Sequence, residues 1–120
     1  MKITTRILAI PLSLIFVLAA GAKLSSQPDM IESFTRFGMP LWFMYFIGAA
    51  ELAGAIGIHV QRVRIWALFG LMLIMLGAIG SHLVFDPPQA AAPAVILLVL
   101  LGGIWMLDRR MADSSNTHVS

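Results

Sequence analysis

The sequence predicts an all-α fold: a four-helix transmembrane bundle, with a short amphipathic helix between the first and second spans. Three observations lead there. Of the 120 residues, 59% are hydrophobic and 12% charged, against roughly 45–50% and about 25% in soluble domains. So short a chain cannot hide that much apolar surface in a water-soluble core. The apolar residues fall in continuous runs of the ~17–25 residues that a spanning helix needs. Strands of a membrane barrel would instead alternate apolar and polar residues over ~10 positions. Finally, the basic residues flank these runs rather than cluster, so the net charge of +2 and the pI near 9.7 read as bilayer orientation. With no basic run and no aromatic-basic interleaving, nucleic acid is not a partner. Cysteine is absent, which excludes disulfides, thiol redox chemistry and thiolate metal sites.

The first span is expected at about 7–24. Its opening, "MKITTRILAIPLSLIFVLAAGA", also has signal-peptide grammar: a basic start, an apolar run and Ala20-Gly21-Ala22. We read it as a retained helix, because it delivers Lys23 to its own end. The stretch "SQPDMIESFTRFGMP" predicts the short helix. Ser26 stands three residues before Asp29 in capping-box fashion, and Pro28 lies in the first turn. Met30, Ile31, Phe34 and Phe37 fall on one side; Asp29, Glu32, Ser33 and Arg36 fall on the other. Glu32 and Arg36 make an i,i+4 pair, and Gly38 with Pro40 ends the helix. Such a helix lies on the membrane surface, as a structural lid or as a substrate gate.

The second, third and fourth spans are expected at about 41–60, 65–85 and 90–107. Together they give one membrane domain over residues 1–110, followed by a polar and disordered tail, 111–120. Lys2, Arg6, Arg62, Arg64, Arg109 and Arg110 lie at one side; Lys23 and Arg36, with Asp29, Glu32 and Asp86, lie at the other. This bias puts both termini in the cytoplasm of a bacterial inner membrane, with a multi-pass topology. Trp42 and Tyr45 then mark the outer interface, and Trp66 and Trp105 the inner one.

Glu51, in "FIGAAELAGAIGI", is the anomaly. Nine residues past Trp42, it lies ~13 Å deeper, near the bilayer midplane. An unpaired carboxylate there costs at least ~2.5–3.5 kcal/mol, so it must be protonated, paired or beside water. Gly48, Gly54 and Ala55 share its face and let another helix approach. Side chains lean toward the N-terminus of their helix, which brings Lys23 from the first span and His82 from the third toward it. Its partner is one of these, or it is a neutral acid bonded to Ser81 or to a backbone carbonyl. The bland readings are that Lys23 snorkels to the headgroups, that His82 is merely interfacial, and that His59 is a surface residue. Gly77 and Ser81 form a small-xxx-small pair for helix contact. The eight methionines read as packing, and without M-x-M or H-x-H clusters no metal site is expected. No nucleophile elbow, phosphate loop or zinc helix is present, so no catalytic residue is assigned.

The chain resembles the DoxX-like family of small four-helix membrane proteins. The residues that carry this are "FVLAAGAKL", "FGMP", "IGAAELAGAIGI" and "LMLIMLGAIGSHL", and the family pattern falls on Gly21, Lys23, Pro40, Gly48, Glu51, Gly54, Ala78 and His82. The resemblance implies the four-helix architecture. It also implies roles such as a subunit of a membrane thiosulfate:quinone oxidoreductase, or a partner in secreted-protein maturation. The missing cysteines set this chain apart from thiol-based relatives.

The function expected is therefore an accessory or binding protein of the inner membrane. Its polar pocket is built from Lys23, Glu51, Ser81 and His82, with Gly48, Gly54 and Gly77 packing the helices. The pocket would take a small amphipathic molecule such as a quinone, or a partner helix. The alternative is a membrane subunit of a quinone-linked oxidoreductase. Beyond the lipid bilayer, the partners expected are a larger membrane or redox protein, or a second copy of the chain.

Overall fold

The structure, a computed structural model, describes the backbone of residues 3–119 and the side chains of residues 3–110. Lys2, counted above for orientation, lies outside the described residues. The elements are α1 (Ile3–Leu24), α2 (Pro28–Arg36), α3 (Leu41–Gly57), α4 (Arg64–Phe85), a 3-10 turn (Pro88–Ala91) and α5 (Ala92–Val119).

The four long helices form a ring in which α1 packs on α3 and α5, and α4 packs on the same two. Side-chain contacts fix the antiparallel order of the α1–α3 pair: Ser13 meets His59, and further along Lys23 meets Glu51. Ala9, Leu12 and Phe16 of α1 join Ala55, Ile58, Leu68, Leu71, Leu101 and Ile104 in the core. Elsewhere the bundle turns large apolar residues outward, among them Leu18, Trp66, Val84 and Val99. An apolar exterior around an apolar core is how a bundle meets lipid, and the chain is a membrane protein.

By length and apolarity α1, α4 and the stretch Pro88–Arg110 can each cross a bilayer. The second span is shorter than expected: α3 has 17 residues and stops at Gly57 instead of near Val60. At that end Arg64 Nε donates to the Ile58 carbonyl at 2.8 Å and caps the helix from the next element. At 1.5 Å per residue α3 is still about 25 Å long, the lower edge of a span.

Helix α2 lies across the others, bent from α3 by 115°. The expected capping box at its start is not formed. Gln27 is the N-cap and makes no side-chain bond. Ser26 instead closes α1, with φ at +58°. Gln27 N–H donates to the Ala22 carbonyl and Ser26 N–H to that of Lys23, the Schellman pattern. The Ser26 hydroxyl is bonded to Tyr45, which holds the short residue in a conformation glycine would favour. The expected stop of α2 is present: Gly38, at φ +73°, donates to Thr35 while Met39 donates to Phe34.

At the other terminus α5 continues to Val119 rather than ending near Leu107 in a disordered tail. No glycine or proline follows Gly103 in the sequence, so nothing local stops the helix.

Candidate functional site

Small residues on α3 build the site. A Cβ placed on Gly48 would sit 3.0 Å from Lys23 Cβ, and one on Gly54 would sit 2.7 Å from Leu71 Cγ and Cδ2. These two glycines thus let α1 and α4 come close on either side of Glu51. The approach at Gly48 brings Lys23 Nζ to 2.8 Å from Glu51 Oε1. Glu51 is 2% exposed. Lys23 therefore turns into the bundle and does not snorkel. Apart from this ionic contact Oε1 has no hydrogen-bond partner. We read the contact as an ion pair whose hydrogen-bonding capacity is only partly used.

Beside this pair lies a cavity of about 560 Å³. Gly77, Ser81 and His82 of α4 line it, and Phe43, Phe46 and Ile47 come from α3. Helix α2 closes it with Met30, Ser33 and Phe34, and with Phe37 at its C-cap. Gly77 was expected to pack against a neighbouring helix and does not: an added Cβ would meet nothing within 4 Å, because this face of α4 borders the cavity. Ser81 is on the wall, and no hydrogen bond joins it to Glu51.

His82 lines the cavity without reaching Glu51. Its Nδ1 is 2.8 Å from Asp86 Oδ2, an i,i+4 partner one turn further on. The same carboxylate receives Arg36 of α2 in a forked contact, Nε to Oδ1 at 2.8 Å and NH2 to Oδ2 at 3.3 Å. Arg36 also holds Glu32 at 2.6 Å, as expected from the sequence. Phe37 sets its ring against the edge of His82 at 5.4 Å between centroids, and against Phe85 at 5.7 Å. The hydrogen bond from His82, and then the Arg36 guanidinium, hold the Asp86 carboxyl below the usual carboxylate range. Asp86 is the residue sequence reasoning missed. It had been counted only for orientation, although its place four residues after His82 was a usable signal.

The opposite end of the bundle carries a second set of polar contacts. Arg64, expected as a loop charge, is buried and meets Asp108 at 3.3 Å. His59 is exposed as expected, and one ring nitrogen is 2.8 Å from the Ser13 hydroxyl. These contacts tie helix ends together. Among the described residues no three His, Asp or Glu side chains gather as a metal site would require.

The family model of the DoxX-like family matches residues 7–104. The chain belongs to the DoxX-like family. This DoxX-like chain is similar to a Bacillus subtilis (strain 168) protein named "Uncharacterized protein YdgD". The two are 33% identical over 92 residues, which is 72% of this chain and 80% of that protein. No solved structure matches this chain.

Proposed function

We propose that this DoxX-like membrane protein is a binding protein whose cavity, floored by the Lys23–Glu51 pair, holds one small amphipathic molecule. The observation that carries the reading is the cavity itself. Its volume of about 560 Å³ falls within the ~300–1,000 Å³ of small-molecule sites. Its wall is aromatic and aliphatic, with a few convergent polar groups from α1, α2, α3 and α4. An intramembrane charged pair also marks a functional site more often than a purely structural one.

The orientation proposed places the Arg64 end in the cytoplasm of a bacterial inner membrane and the cavity toward the outer side. Arg6, Arg62, Arg109 and Arg110 support it. Alkaline phosphatase fused to the C-terminus would then be inactive, and an active fusion would reverse the assignment.

Native mass spectrometry of the protein released from its own membrane tests the binding. One molecule per chain, smaller than a bilayer phospholipid, should remain bound at gentle activation. It should be absent from Gly77→Leu, which fills open space in the cavity. A wild-type chain that never carries such a molecule would contradict the proposal.

A further inference from the structure

Of the Lys, Arg, Asp and Glu side chains, only Lys23 and Glu51 are on the cavity wall, and their charges cancel. Lys23 and Glu51 are 2.8 Å apart. His82 is bonded to Asp86, and Asp86 in turn faces Arg36. No net charge is left on the wall to neutralise a charged head, and bringing an unpaired charge against phenylalanine and methionine side chains is expensive.

Hydrogen bonding is not balanced in the same way. Glu51 is 2% exposed, and beyond the Lys23 ammonium its Oε1 has no hydrogen-bond partner. Among the described residues it is the one buried side-chain oxygen or nitrogen left so. A carboxylate accepts up to about four hydrogen bonds and an ammonium donates three, so a pair joined by one contact keeps spare capacity, and both residues line the cavity. An ether or a ketone could only accept from Lys23, and would leave the buried carboxylate with that lysine as its one partner. A hydroxyl can donate to Glu51 and accept from Lys23 at once.

Building on the cavity being a binding site, we infer that its occupant is an uncharged amphiphile, an alcohol or phenol with an apolar tail, whose hydroxyl donates to the Glu51 carboxylate. The tail lies among Phe34, Phe37, Phe43 and Phe46. A hydrogen bond to a charged acceptor in such a site is among the stronger ones, so loss of the donor should be plainly measurable.

The test uses the intact chain in mild maltoside detergent with three probes of one shape: para-hexylphenol, para-hexylanisole and para-hexylbenzoate. Affinity is read from the concentration dependence of the melting temperature. The phenol should bind at least about tenfold more tightly than the anisole, which lacks the donor, and than the benzoate, which is charged. Gly77→Leu, introduced where a side chain meets open space, should weaken phenol binding at least about tenfold without lowering the melting temperature of the empty protein. Equal binding of phenol and anisole overturns the donor, and benzoate binding as tight as the phenol overturns the neutral head. If all three bind alike and Gly77→Leu abolishes them together, the cavity reading stands and only this inference falls. If none binds, both fall.

Discussion

Removing Lys23 should hurt more than neutralising Glu51. Lys23→Ala leaves a carboxylate that is 2% exposed with no cation beside it, and breaking one side of a buried pair costs about 3–5 kcal/mol. Glu51→Gln keeps the shape and strands only a partly exposed ammonium, so its cost should be the smaller. Unfolding by SDS from a mild-detergent state measures both, and equal, negligible changes would contradict the pair. The glycines give a second contrast at this scale. Gly54→Ala drives a methyl to 2.7 Å from Leu71 and should cost about 1–3 kcal/mol. Gly77→Ala meets open space and should gain up to ~1 kcal/mol from helix propensity. The same unfolding titration separates them, and a similar loss at both positions would contradict the packing described. The need of Glu51 for a partner was legible from its place inside an apolar run, and Lys23 from its place at the end of another. The partner of His82 was not, because depth along the helix axis says nothing of azimuth around it. The imidazole found a nearer acid on its own helix. For the same reason Gly54 and Gly77 looked alike in sequence, although one touches a neighbouring helix and the other faces open space.

Helix α2 is held over the cavity by Asp86, which gathers His82 and Arg36, and by the Phe37 ring against His82 and Phe85. Because the Asp86 carboxyl is held below its usual range, its contribution is fully present above the ordinary carboxylate value of about 3.9. It is lost as pH falls through the lower value of the folded state. Melting temperatures from about pH 7 to about pH 3 should therefore fall for the wild type. Asp86→Asn should start lower and lose that part of the acid dependence, while parallel curves would contradict the role of Asp86. At this scale the existence of every helix was legible, since apolar runs and the Gly38 stop depend on local chemistry. Helix ends were not. Arg64 caps α3 from a different element, and Ser26 serves α1 and Tyr45 rather than α2.

The described helices form a ring of four crossed by a fifth, and the cavity is the unfilled space that Gly77 of α4 lines together with Phe43 and Phe46 of α3. Membrane class and helix number could be read from composition and run length, because lipid imposes those requirements on every span, and the family from four short motifs. The cavity could not, since an unfilled volume depends on how four faces meet. The direct measurement is photolabelling with a diazirine-bearing long-chain alcohol, mapped by mass spectrometry. The label should fall on Phe34, Phe43 and Met75 and be displaced by the unlabelled alcohol in a saturable way. Label confined to outward residues such as Leu18, Val84 and Val99, and indifferent to competitor, would contradict a binding cavity in this protein.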